Sequence, residues 1–133
     1  MISDGVDNRL YGIGQPSEVS FTDIKRAASR MNALLYPVVL GPAEENLVRG
    51  STPYEAHMRF KETAELSGGR VFSAATLAEF DSVYESIAAE LRAVYSLSYS
   101  PQNQDFKGEY RTVKVRIKRD GATARTRPGY TAE

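Results

Sequence analysis

Tyr36-Pro-Val-Val-Leu-Gly41 is a short apolar run closed by a glycine. It is brief and does not alternate with polar residues. This predicts a strand buried on both faces, as in a parallel sheet. Pro37 has no N–H to give a ladder, so it belongs at the start of that strand. Helical periodicity flanks the run on both sides. Upstream, residues 21–35 read as a helix, with Ser20 and Asp23 as a capping box and Ile24, Ala27, Ala28, Met31 and Leu34 on one face. Downstream, residues 42–51 read as a loop before Thr52-Pro53-Tyr54-Glu55, a strong helix start. Thr52 is read as the cap, Pro53 as the first helical position and Glu55 as the side chain reaching back. Ala56, Phe60, Ala64 and Ser67 share a face, and Gly68-Gly69 permits the positive φ that ends a helix.

Val71-Phe72-Ser73-Ala74 predicts a second brief strand. Thr76 and Glu79 then suggest another capping box, opening a third helix whose Leu77, Phe80, Tyr84, Ile87, Leu91 and Val94 recur at steps of three and four. Such a stripe is expected to pack on a sheet. At the other end of the chain, Met1, Ile2 and Ser3 read as the stub of a strand leading into the acidic loop Asp4-Gly-Val-Asp-Asn8. From Tyr95 the period becomes two. Tyr95, Leu97 and Tyr99 alternate with serines, and Val113, Val115 and Ile117 alternate with Thr112, Lys114, Arg116 and Lys118. Asp120-Gly121 is a hairpin turn signal, and Ala122 to Arg127 is the return strand, which predicts an antiparallel three-stranded meander. Strands alternating with helices predict an α/β fold with parallel pairing. We expect residues 1–96 to form a partial doubly wound sheet and residues 97–133 an antiparallel extension packed on it.

The 133 residues fit one domain, and 41% apolar with 26% charged composition is that of a globular protein. No run approaches the roughly 18 apolar residues that would span a bilayer. There is no cysteine, so disulfide and thiolate chemistry are excluded. Net charge is zero but unevenly spread: residues 1–100 hold 9 Lys/Arg and 13 Asp/Glu, while residues 101–133 hold 8 and 4. The basic tail carries Arg111, Lys114, Arg116, Lys118, Arg119, Arg125 and Arg127, flanked by Tyr110 and Tyr130. Such a ribbon can bind single-stranded nucleic acid. Long cations also keep exposed strands from pairing edge to edge, and we favour that reading.

The order of these pieces resembles a known family. An apolar strand ending in Ser3-Asp-Gly-x-Asp-Asn8 looks like the fourth strand of a von Willebrand factor type A domain. Leu35 to Gly41, Leu66-Ser-Gly-Gly-Arg-Val-Phe72, Glu90 to Pro101 with its Tyr-x-Leu-x-Tyr-x-Pro, Tyr110 to Arg116, and Arg127-Pro-Gly-Tyr130 together resemble the C-terminal half of the bacterial VWFA-related proteins. The resemblance covers nearly all of this chain and about half of the family's domain. It implies a doubly wound sheet of strand order 3-2-1-4-5-6, with a metal-ion-dependent adhesion site at the carboxyl ends of the strands. That site draws on a D-x-S-x-S loop, a threonine loop and an aspartate in a T/S-D-G segment. Here only the last is present, as Ser3-Asp4-Gly5. The resemblance therefore implies Mg²⁺ or Mn²⁺ in a complete parent domain, with Asp4 beside the metal; on coordination chemistry alone, Asp7 and Asn8 could add weaker oxygen donors. For this chain it implies an incomplete site and no resident cofactor. It also implies a protein partner and an extracytoplasmic setting.

Other candidates carry less. Gly12-Ile-Gly14 lacks the strand before it and the helix opening on it that a dinucleotide fingerprint needs. Ser67-Gly68-Gly69-Arg70 could form a phosphate nest, but a helix end explains it at lower cost. His57 stands without a second histidine or a cysteine to share a zinc ion and is expected at the surface between Glu55 and Arg59. Glu44-Glu45 falls in a polar loop with no sign of an apolar pocket. The chain therefore reads as a non-enzymatic, adhesion-type interaction module. Loss of a neighbouring strand would leave a sheet edge for self-association. The alternative is a structural or assembly piece without metal or ligand function, with a nucleic-acid-binding ribbon behind both.

Overall fold

The computed structural model describes residues 2–3, 19–102 and 108–132. Three strands, β1 (Ile2–Ser3), β2 (Val38–Leu40) and β3 (Phe72–Ala74), form a parallel sheet in that order, with Ile2 opposite Val38 and Val38 opposite Phe72. Helix α1 (Phe21–Arg30) lies between the first two strands in the chain and α2 (Thr52–Ser67) between the next two, with α3 (Phe80–Arg92) after the third. A separate antiparallel pair joins β4 (Tyr110–Thr112) to β5 (Gly129–Thr131). The mixed α/β class read from the sequence is therefore present.

Helix starts follow side-chain capping. Ser20 Oγ accepts from the Asp23 N–H at 3.2 Å and donates to Asp23 Oδ2 at 2.6 Å, which opens α1 as the sequence suggests. That hydroxyl is the main reason the Asp23 carboxyl is held below its ordinary value. The helix stops at Arg30, not at residue 35. Tyr36 precedes a proline and is biased away from helical backbone, and the Leu35 N–H is taken by Ser67 Oγ at 2.8 Å. In α2 the cap is Ser51, whose Oγ accepts from the Tyr54 N–H, so Thr52 and Pro53 move one position inward. The proline is still tolerated, because first-turn N–H groups have no intrahelical acceptor. The proposed Thr76–Glu79 box takes another form. The Glu79 carboxylate accepts from the Ala75 N–H at 2.9 Å and from the Thr76 hydroxyl at 3.2 Å, in front of a 3₁₀ turn, Leu77–Glu79, that leads into α3.

The end of α2 sets the sheet. Gly68 turns left-handed at φ 89°, with its N–H on Glu65 O and the next N–H, from Gly69, on Ala64 O. This is the Schellman pattern. Gly69 then presses on the segment entering β2: a Cβ there would lie 1.9 Å from Leu35 O. Ser67 Oγ, accepting from Leu35, also donates to Ala64 O at 2.7 Å. Phe72 N–H reaches Pro37 O at 2.9 Å, and Gly41 N–H reaches Ala74 O at the same distance, so the β2–β3 pair is held at both ends.

Val38 packs with Ala74 and Val83, and Phe72, Phe80 and Ile87 lie against them, so α3 covers one face of the sheet. Among the described residues, the buried apolar ones are alanine and valine: Ala28, Val38, Val39, Ala56, Ala64, Ala74, Val83 and Ala132. Only part of the expected α3 stripe is covered. Phe80 and Ile87 pack, while Leu77, Tyr84, Leu91 and Val94 stay at least half exposed. The strands are three residues long or less, too short to cover a stripe of eighteen residues.

The predicted three-stranded meander is corrected to a two-stranded pair. Val113 N–H reaches Pro128 O at 2.8 Å, but Pro128 has no N–H to return, and the ladder stops there. Residues 95–99 and 122–127 form no ladder. The turn at Asp120-Gly121 does form, with Ala122 N–H on Arg119 O. The basic segment is tied elsewhere. Arg125 and Arg70 both pair with Glu90, at 3.0 and 2.5 Å, and Arg127 donates to Met31 O at 3.0 Å.

Gly69→Ala should lower stability by about 3 kcal/mol, since an added methyl meets backbone rather than a yielding side chain. Ser67→Ala should cost about 1–2 kcal/mol by leaving the Leu35 N–H without its acceptor. Urea midpoints check both, and shifts equivalent to less than about 0.5 kcal/mol would contradict the joint described here.

Candidate functional site

In open α/β sheets, ligands gather beyond the carboxyl ends of the strands. Here that edge is where the chain leaves Ser3, Leu40 and Ala74. Ser3 lies opposite Val39, one residue before the end of β2. Asp4, Asp7 and Asn8 lie outside the described residues, as does Gly12-Ile-Gly14. Among the described residues no group of three His, Asp or Glu side chains is placed to hold a metal ion.

The loop after β2 builds a different site. Gly41 and Pro42 turn the chain, and a 3₁₀ turn at Glu44–Asn46 swings Glu44 back toward α2. Lys61 Nζ meets both carboxylate oxygens of Glu44, at 2.8 and 3.0 Å, and His57 Nε2 lies 3.6 Å from Oε2. The Lys61 hydrogen bond is the main cause that lowers the Glu44 carboxyl below its ordinary value and raises the Lys61 ammonium. Both groups keep about two-fifths of their side-chain surface exposed, so solvent screens much of this attraction.

His57 is not the surface residue expected from sequence; it is 4% exposed. The overlooked signal is its spacing. Position 57 falls seven residues before Ala64 and four after Pro53, on the inward side of α2. Its Nδ1 is buried and has no hydrogen-bond partner. The ring borders a cavity of about 210 Å³, lined among the described residues by Val39, Leu40, Gly41, Pro42, Leu47, Pro53 and His57. Glu44-Glu45 therefore stands beside an apolar hollow that the sequence did not reveal. The arrangement presents a mostly apolar hollow with the His57 ring in its wall and His57 Nδ1 covered.

The other regions offer less. A shallower hollow of about 350 Å³ between α1 and α2 contains Phe21, Glu55, Met58 and Arg59. The cations of Lys25 and Arg59 already cover its Phe21 ring, at 5.2 and 5.3 Å. Gly68-Gly69 serves the helix end and is not a phosphate nest. In the basic ribbon, Lys114, Arg116, Lys118 and Arg119 are exposed, whereas Arg125 and Arg127 are engaged by Glu90 and Met31.

Comparison of the chain with protein-family models, with curated proteins and with solved structures gives no match.

The Glu44–Lys61 pair makes a pH prediction. A depressed carboxyl pKa gives stability that is complete above the unfolded carboxylate value and is lost as pH falls through the folded one. A raised ammonium pKa gives stability that is lost as pH rises through the folded lysine value. A double-mutant cycle with Glu44→Gln and Lys61→Met should show coupling of about 0.5 kcal/mol at pH 7, fading in the acid range, at high alkaline pH and in high salt. Coupling unchanged at pH 3 would contradict the pairing.

Proposed function

We propose that this chain is a non-enzymatic protein-interaction module, built as the C-terminal half of a von Willebrand factor type A-like domain and working through the carboxyl edge of its parallel sheet. The observation that carries this reading is the strand order β1-β2-β3, all parallel, with β1 at the margin. Consecutive neighbours are what strands four, five and six of a 3-2-1-4-5-6 sheet require. In that frame the chain leaves Ser3 at the working edge and continues into Asp4-Gly5. Mg²⁺ takes six oxygens in near-octahedral geometry. Asp4 supplies one carboxylate, and Asp7 and Asn8 add weaker donors. The ion then needs the D-x-S-x-S and threonine loops of a complementary half.

Mn²⁺ titration followed by electron paramagnetic resonance tests this. The 133-residue chain should bind no tighter than about millimolar. Fusion to an N-terminal half bearing D-x-S-x-S should tighten binding at least ten-fold, and Asp4→Asn should abolish the gain. A micromolar site in the chain by itself, or a gain indifferent to Asp4, would overturn the metal part of the reading.

A second reading, self-assembly, is favoured by the exposed apolar surface. Leu77, Tyr84, Leu91, Val94, Tyr95, Leu97 and Tyr99 are all at least half exposed, and among the described strands β1 has a neighbour on one side only. Contiguous apolar surface and open strand edges both favour association. Light scattering should show a concentration-dependent rise to dimer or beyond, and a constant monomer mass at millimolar protein would contradict it.

A further inference from the structure

The segment that leaves β4 differs from the rest of the molecule in how its charge is used. Elsewhere Lys25, Arg26, Lys61, Arg70 and Arg125 each meet a carboxylate. Among the described residues, Lys114, Arg116, Lys118 and Arg119 meet none. Asp120 is the one acidic residue between Tyr110 and Ala132. Edge protection does not account for these cations. Such guarding acts on a strand within a sheet, and the ladder from β4 stops at Val113.

Burial gives the row its direction. Tyr110, Thr112, Lys114 and Arg116 are exposed, while Arg111, Val113 and Val115 between them are half-buried. Alternate residues of an extended chain share a side, at a repeat of about 6.7 Å. One aromatic, one hydroxyl and two cations therefore stand in single file, and Lys118 and Arg119 carry the charge on to the turn. Phosphates along an extended single strand are spaced by a similar distance. Tyr110 is also seated. Its ring fills the space of a side chain at Gly129, where a Cβ would lie 2.7 Å from Cζ. The residue nevertheless stays 53% exposed. A positioned aromatic in line with unpaired cations is the composition of a single-strand site. A duplex keeps its bases stacked inside and offers that ring nothing to receive. An anionic membrane uses the cations and leaves the ring without a role.

We propose that residues 110–119 bind single-stranded nucleic acid, with Tyr110 stacking on a base and Lys114, Arg116, Lys118 and Arg119 meeting successive phosphates. No residue of the carboxyl edge takes part. The probe is a fluorescein-labelled thymidine dodecanucleotide, titrated with the full chain and followed by fluorescence anisotropy. Kd should be about 10⁻⁵ M at low salt, and log K should fall against log salt with a slope of about −2.8 for four phosphates. Lys114→Gln with Arg116→Gln should reduce the magnitude of that slope by about 1.4. Arg49→Gln with Arg92→Gln removes equal charge from exposed positions elsewhere and should leave the slope unchanged. An abasic dodecanucleotide should bind about ten-fold more weakly than the thymidine strand. Tyr110→Leu should bind both strands alike, and Tyr110→Phe should restore the difference. The wild-type comparison of the two strands stands even where Tyr110→Leu does not fold. Absence of saturable binding, equal slopes in the two charge variants, or equal binding of the two strands by the wild type would overturn the proposal. So would tighter binding to a duplex of the same length or to phosphatidylserine vesicles. Each of these results leaves the Asp4 reading intact.

Discussion

The contact between Gly69 and the backbone of Leu35 is the constraint on which the rest of the sheet depends. It is possible because position 69 has no Cβ, and it is held by Ser67, whose hydroxyl bridges the Leu35 N–H and the Ala64 carbonyl. With the end of α2 locked to the approach of β2, the next residues emerge beside it, and Phe72 N–H can meet only the carbonyl that Pro37 still offers. From that first bond follow the parallel register of β2 and β3, the burial of Val38 against Ala74, and the seat for Val83 and Phe80. The opposite side chain of β2, Val39, is left to face α2 and, through it, His57.

That geometry also explains why the site lies where it does. A strand of three residues ends quickly, and Gly41-Pro42 carries the chain off the sheet before α2 begins. Two prolines, at 42 and 53, then stand on either side of the gap with no N–H to close it by hydrogen bonding. Lys61 draws Glu44 over one side of the gap, and the imidazole forms part of the wall. Small side chains dominate the buried set, so this core has little bulk with which to fill such a space.

Much of the architecture was legible in the sequence because its signals are local. Ser20 with Asp23 marked a true cap, Gly68-Gly69 a true helix end, and the two apolar runs true parallel strands. Where the reading slipped, a competing partner had won. Ser51 took the cap from Thr52, Glu79 reached Ala75 in place of the box geometry, and Pro128 cut short a ladder whose alternation still shows in the burial of residues 110–116. His57 was misplaced for a different reason. Its charged neighbours Glu55 and Arg59 suggested a solvated face, its step from Pro53 and Ala64 was passed over, and the Gly41–Glu44 loop beside it follows no local pattern. The expectation for Asp4 came from family resemblance, and Asp4, Asp7 and Asn8 lie outside the described residues.

The proposed interaction face depends on the parallel pairing of β1 beside β2. Interstrand nuclear Overhauser effects on isotope-labelled protein test it most directly. Parallel pairing should give cross-peaks linking Ile2 to Val38 and Ser3 to Val39, in the same sense as those linking Val38 to Phe72 and Val39 to Ser73. Antiparallel cross-peaks from residues 2–3, or contacts of those residues to β4 or β5 instead, would contradict it.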